Sequence, residues 1–365
     1  MAGTLSGQSS AGGAAASAPG AVAGAPARRA VAVTARERRD GRGRRGTGTL
    51  RKGENLFGWL FVSPALAILL LFLVIPIFLA LYISFTNWTG LTNPLSSSVH
   101  WVGLANYRTI LTQPGLDQTD FGTAVRDNFY FVVFTVPLQT ALALWLAVLL
   151  NNRLLRAKGF FRTAFYFPSV TSSIAITVVF IFLFQGTGVV NTVLGWFGIS
   201  GPNWLYDTQG VIWNALGLFG INSPPGWAQH NIIGIPVWSW LAGPSVGMCV
   251  MIALVVWTTS GTFMLFFLAA LQNIGEDVDE ASAIDGTTPW QRFRYVTLPL
   301  LRPALVLVLT LRFISTWQVF DQSYLLGPNN PTTITPAFFS YQVSFQDSAF
   351  GVGAAVAFLL FCLIV

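Results

Sequence analysis

Long apolar runs alternate along this chain with polar intervals punctuated by Gly and Pro. The first run, residues 56–85, has Pro64 near its start and Pro76 as an expected kink, and it is long enough to cross about 30 Å of hydrocarbon even when tilted. Residues 129–150 read as a second span. Residues 163–184 read as a third, broken by Pro168 and the cluster Ser169, Thr171, Ser172 and Ser173. Residues 246–271 and 300–320 give a fourth and a fifth. Residues 350–365 begin a sixth, but 16 residues at about 1.5 Å each reach only about 24 Å. Either this helix starts earlier, near Tyr341, or the chain continues beyond Val365. The expected fold is an all-α membrane protein, a polytopic bundle of about six transmembrane helices.

The intervals orient the spans. Residues 87–127 read as an outer loop with Trp88, Trp101 and Tyr107 as interface aromatics, whereas Arg153, Arg156, Lys158 and Arg162 mark a cytoplasmic turn in 151–162. Residues 187–245 contain no Lys or Arg and read as an outer insertion; 322–347, equally without basic residues, return outside. The insertion carries an internal echo: GVVNTVLGWFGISGPNW from residue 188 is followed by GVIWNALGLFGINSPPGW from residue 210. Each copy places apolar residues on one side of a short helix, which suits the membrane interface; a packing loop is the alternative reading.

Composition agrees with a bilayer as solvent: of 365 residues 53% are hydrophobic and only 9% charged, against about 25% charged in soluble domains. The net charge of +6 does not point to nucleic acid. Half of the 20 basic residues, from Arg28 to Lys52, precede the first apolar run, as a cytoplasmic flank does. Residues 1–54 have almost no large apolar side chains and are expected to be a disordered cytoplasmic tail, with no apolar signal region before Leu56. Residues 55–365 form the expected membrane domain. Cys249 and Cys362 indicate no disulfide framework, and His100 and His230 stand isolated in outer loops. No phosphate-binding GxxxxGK[ST] loop is present, so the reading gives this chain no cofactor and no catalytic residue of its own.

One polar stretch, residues 276–303, lies between two apolar runs. Asp277 or Asp279 can cap a first helix through Ile284, and Gly286 follows as a left-handed stop. Thr288 caps a second helix with Pro289 at its first position, running to about Tyr295. Ala281, Ser282 and Ala283 leave little bulk, so another protein surface can approach closely.

In order and spacing, Glu280, Ala281, Ser282, Asp285, Gly286, Phe293, Leu298 and Pro299 resemble the EAA coupling loop of ABC importer permeases. The likeness extends upstream through Trp257, Gly261, Leu268 and Gln272 to Ile274, and downstream through Phe320, Asp321 and Leu326 to Pro328 and to Phe350 and Gly351. It is similar to the carbohydrate permeases of the maltose and glycerol-phosphate type and covers roughly residues 55–365. Ser282, Thr287 and Gly275 depart from the usual Ala, Ala and Pro. The resemblance implies alternating access in a cell inner membrane and a loop that docks in a groove of a separate ATPase. The implied partners are a second permease subunit, two ATPase subunits that hold ATP and Mg, and an extracytoplasmic solute-binding protein. A sugar or oligosaccharide is the implied solute; a peptide or amino acid remains the alternative, and an ion-coupled secondary transporter a rival class.

Arg312 is the intramembrane charge. Ten residues beyond Arg302, it lies about 15 Å deep, where a charge needs a partner helix or a wet cavity. On an ideal helix Ser315 and Thr316 share its face, while Trp317, Gln318 and Asp321 turn away. These residues, with Tyr324, are the candidates for the solute pathway, and which face meets a cavity stays open.

Overall fold

The computed structural model describes residues 52–152, 155–220, 223–327 and 330–365. The expected disordered tail therefore lies, up to residue 51, outside the described residues, and Lys52 already begins the first helix. The chain divides into two compact units, Met1–Leu66 and Ala67–Val365. The described part of the first is the start of α1 (Lys52–Leu69), with Pro64 inside it.

In the second unit α1 ends in a π turn, Leu70–Val74, followed by α2 (Ile75–Ile83). The kink expected at Pro76 takes this form because proline has no N–H and its ring crowds the carbonyl four residues earlier, that of Phe72, which the wider turn accommodates. Leu70, Leu71, Phe72 and Phe78 point outward, as lipid-facing side chains do.

The expected outer loop at 87–127 is in large part helical. It holds α3 (Ala105–Leu111) and the first turns of α4 (Leu116–Asn151). The second span was read as starting only at Phe129 because Arg126, Asp127 and Asn128 looked like loop residues. They lie within α4 and are paired or packed: Asp127 and Asn128 are buried, Arg126 binds Asp127, and Asn128 donates to the Trp317 carbonyl. The outer end of α4 also carries a tight hairpin, Asn231–Ile232 with Ile235–Pro236, whose turn sits against Gly122; a Cβ there would lie 2.0 Å from the Ile233 carbonyl oxygen.

The third span also differs from expectation. Pro168 is tolerated inside α5 (Lys158–Val170), and the break falls within the expected cluster, at an extended Thr171 and at Ser172, before α6 (Ser173–Phe184). The apolar stretch long enough to cross a membrane is Ser173–Trp196, which takes in α7 (Val189–Trp196). The second copy of the echo forms α8 (Val211–Leu218), and α9 (Val237–Leu241) leads into α10 (Val246–Gln272), whose bounds match the expected fourth span closely. The polar stretch forms α11 (Glu276–Ile284), α12 (Pro289–Arg292), a π turn at Phe293–Thr297 and α13 (Leu298–Leu300). Next come α14 (Arg302–Trp317), α15 (Asp321–Leu326), α16 (Pro336–Tyr341) and α17 (Phe350–Ile364).

Five helical stretches among the described residues are long and apolar enough to span a bilayer, and α17 is a shorter apolar helix. The earlier start near Tyr341 is not what forms. A π turn at Gln342–Gln346 and a left-handed Ser348 reverse the chain, so α16 folds back against α17. The hairpin is tight: Ser340 donates to the Gly353 carbonyl at 2.8 Å, and a Cβ on Gly353 would lie 1.9 Å from the Ser344 hydroxyl. Glycine is what lets this segment lie beside the last helix rather than prolong it.

α4, α10 and α14 form the centre. Ala143, Leu146, Ala147 and Leu150 of α4 pack on Met264, Phe267, Leu268 and Leu271 of α10 and on Leu301 and Val308. Earlier in α4, Val132 and Val136 pack on Trp317 and Leu360. Late α4 thus meets early α14 and early α4 meets late α14, so the two run antiparallel. Gly261 of α10 admits α5 closely, with the Phe165 carbonyl oxygen 2.3 Å from where a Cβ would be.

Candidate functional site

The loop between α10 and α14 is shaped by local chemistry. α11 begins after an extended Gly275, with no side-chain cap, so neither Asp277 nor Asp279 takes the N-cap position expected of one of them. Its C-terminus closes as expected: Gly286 has φ +68°, its N–H reaches the Ala283 carbonyl, and the Thr287 N–H and hydroxyl both donate to the Ser282 carbonyl. Thr288 then forms a full capping box with Gln291 ahead of Pro289. The chain continues past the expected end at Tyr295 through the π turn, which precedes Pro299 as another precedes Pro76.

The family-like residues divide by exposure. Glu280, Ala281, Asp285 and Gly286 face outward, Ser282 is buried, and Phe293, Leu298 and Pro299 are half-buried. Phe293 packs beside Trp290 with ring centres 5.8 Å apart. Ile284 is 85% exposed, Trp290 69% and Tyr295 73%. Three large apolar side chains thus stand out from a polar loop. Ile284 and Trp290 were not singled out in the sequence, although an apolar residue next to a helix stop is a signal that could have found them. A Cβ on Gly286 meets no atom within 4 Å, so this turn also opens outward.

Arg312 is buried on α14. One of its terminal nitrogens donates to the Ser315 hydroxyl at 3.2 Å, and its guanidinium carbon lies 5.5 Å from the centre of the Phe263 ring. Its Nε and Nη2 have no partner among the described residues. Thr316 turns its hydroxyl back onto the Arg312 carbonyl. The ideal-helix reading fails beyond this point. Trp317 is buried with Arg312 and Thr316 instead of turning away, because it fills the space between Val132, Val136 and Leu360. The helix ends there, Gln318 is exposed in the break, and Asp321 opens a separate helix. Ser315 is itself exposed although it shares a hydrogen bond with Arg312. Tyr324 is half-exposed and stacks on Phe320, with ring centres 5.5 Å apart, beside Tyr341.

Three residues of α4 belong with this group and were not anticipated. Thr135, Gln139 and Thr140 are buried, and none of their side-chain polar atoms has a partner among the described residues. Counted inward from the Asn128 and Trp317 pair, Thr135 lies about 10 Å and Arg312 about 7 Å along their helices, so they sit at similar depth. Two of the three central helices therefore carry underbonded polar groups within the span. The signal in the sequence was a Gln between two Thr in an apolar run.

A helical membrane bundle with an outward-facing polar loop between two spans, and buried polar groups at mid-depth, defines a membrane permease subunit. Residues 139–365 match the family described as the binding-protein-dependent transport system inner membrane component, and the chain belongs to that family. Among curated relatives it is 31% identical to the lactose transport system permease protein LacF of Rhizobium radiobacter over 320 residues, covering 86% of this chain and 91% of that protein. It is 29% identical to the arabinooligosaccharides transport system permease protein AraP of Halalkalibacterium halodurans, covering 87% and 86% of the two chains. It is 29% identical to the trehalose/maltose transport system permease protein MalF of Thermococcus litoralis, covering 87% and 93%. In fold it is similar to a chain of a bacterial ABC transporter involved in the import of the polysaccharide alginate, with a TM-score of 0.64 at 19% identity over 86% of this chain and 92% of that one.

Proposed function

We propose that this permease imports a sugar or oligosaccharide by alternating access, driven through residues 276–303 by separate ATPase subunits that bind ATP and Mg. The observation that carries the coupling role is the exposed trio Ile284, Trp290 and Tyr295 on a loop closed by Gly286 and Thr288. The sugar reading rests on the lactose, arabinooligosaccharide and trehalose/maltose permeases to which the chain is similar.

In this reading a second permease completes the pathway, a solute-binding protein delivers from outside, and the tail before residue 55 and the loop at 276–303 lie in the cytoplasm. Of the insertion at 187–245, the part beyond Trp196 lies outside, while α7 continues the third apolar stretch. ATP-driven closure of the ATPases presses on α11, and the rigidly capped turn passes the movement to α10 and α14. The inner side then shuts while the outer side opens. Arg312, Thr316, Thr135 and Gln139 offer donors and acceptors to solute hydroxyls that must exchange water for protein at that depth. Ser315, Gln318, Asp321 and the Tyr324 ring contribute from the exposed side of the same region.

The test is reconstitution of the whole complex in proteoliposomes with its binding protein and radiolabelled lactose, maltose or arabinotriose. ATP-dependent uptake of one of them is expected. Uptake of amino acids or peptides, and of none of the three sugars, would overturn the solute class.

A further inference from the structure

The two copies of the outer echo fold alike at their ends and differently at one position. Each helix starts from an extended Gly, Gly188 or Gly210, and closes on a left-handed Gly, Gly198 at φ +75° or Gly220 at φ +82°. In the first copy the fourth residue is Asn191. Its amide donates to the Gly186 and Pro202 carbonyls and accepts from the Trp204 indole at 2.6 Å, which closes the module on itself. In the second copy the same position is Trp213, and a cavity of about 260 Å³ opens beside it.

This cavity has a fixed frame. Gly210 bridges Ser245, the Val211 and Trp213 N–H groups donate to the Pro244 and Ala242 carbonyls, and a Cβ on Gly210 would lie 2.0 Å from the Ala242 carbonyl oxygen. From below, the Tyr130 hydroxyl of α4 donates to the Trp240 carbonyl and accepts from the Gly243 N–H. Trp213 and Trp238 meet edge to face with ring centres 5.0 Å apart. Arg126, Gln209 and Ser239 supply the polar side of the lining. Both bonds of Arg126 go from Nε and Nη2 to one Asp127 oxygen, which offsets its charge and leaves Nη1 to donate.

We propose that this pocket, built by the second copy of the echo, is an outer-side subsite for one neutral monosaccharide ring of the imported sugar. The inference rests on the sugar-import reading above. Drug-sized ligands fill roughly 300–1,000 Å³, so the pocket admits one small ring and not a whole oligosaccharide. The rings of Trp213 and Trp238 in the lining offer apolar surface to such a ring, while a guanidinium N–H, an amide and a hydroxyl meet its hydroxyls. The second copy has Trp213 where the first has the self-bonding Asn191, and the cavity lies beside it.

The experiment uses the full complex with this chain labelled with 5-fluorotryptophan. The Trp213 resonance is assigned with Trp213→Phe and that of Trp145, exposed elsewhere on α4, with Trp145→Phe. Lactose, maltose and arabinotriose are titrated without binding protein, and uptake of each is measured in parallel. A saturable shift of Trp213 with Trp145 unmoved supports the subsite, and Trp213→Ala then raises the KM of uptake about 2- to 10-fold with kcat unchanged. A transported sugar that leaves Trp213 unmoved, or moves Trp145 equally, overturns the subsite and leaves the importer reading intact. A shift without uptake supports the subsite and overturns import of that sugar, and neither shift nor uptake for all three overturns both.

Discussion

Arg312 is the residue on which the sequence and the structure speak most directly to each other. Its depth was legible because distance along a helix is fixed by its rise, and a charge at the centre of a span costs about 2.5 to 3.5 kcal/mol on insertion scales unless something receives it. What receives it was legible in part: Ser315, three residues along on the same face, takes one hydrogen bond, whereas the Phe263 ring comes from α10 by tertiary packing. Arg312→Met is expected to lower uptake at least 10-fold in a complex that still assembles, with Arg312→Lys retaining part of it; normal kinetics in both variants would reduce Arg312 to a packing residue. Thr288 is a simpler case. Its capping role ahead of Pro289 was legible, the reciprocal bond to Gln291 was not read, and Thr288→Ala is expected to destabilise the start of α12 by about 1 kcal/mol. Faster amide hydrogen exchange at residues 289–292, with α10 unchanged, checks it.

At the scale of elements, boundaries were legible where apolar runs ended in clear punctuation and not where polar residues sat inside a helix. α10 was read almost to the residue because Ser245 caps it and the run is continuous. α4 was cut short because its outer turns hold Asp127 and Asn128, whose burial against α14 no local pattern announces. The break in the third span falls inside the expected Ser/Thr cluster, at Thr171 and Ser172, where the Thr171 hydroxyl donates to the Phe167 carbonyl, and not at the proline before them. The echo was legible as a repeat, yet the pocket it makes depends on Ala242 and Trp238 far from either copy. Deleting residues 210–227 is expected to leave insertion and orientation intact, because neither copy alone approaches the roughly 20 apolar residues of a span. A cysteine at Thr288 that became reachable from outside intact cells in that deletion would contradict this.

For the whole molecule, the class of fold was legible from hydropathy, because the bilayer forces backbone into helices; the orientation is an expectation from where Arg and Lys fall, since charge bias sets the direction of the spans. The last span resisted reading, since α16 and α17 are both apolar and the glycine at 353 lets them fold back on each other, while that at 351 admits the Thr86 carbonyl instead. The orientation predicts that Ser223→Cys reacts with an impermeant thiol reagent in intact cells and Thr288→Cys only after permeabilisation; the reverse pattern would invert the topology.

The central claim is that residues 276–303 convert ATP hydrolysis on another subunit into solute movement. Gly286 gives access to it, because its φ of +68° disfavours any side chain and added bulk points away from this chain, toward whatever docks there. Uptake and ATP hydrolysis should be measured together in proteoliposomes holding the complete complex, wild type or Gly286→Trp, with equal amounts of permease inserted. The account predicts that the substitution abolishes sugar uptake together with its stimulated hydrolysis, or leaves hydrolysis running without uptake. Uptake and stimulated hydrolysis both equal to wild type would contradict it.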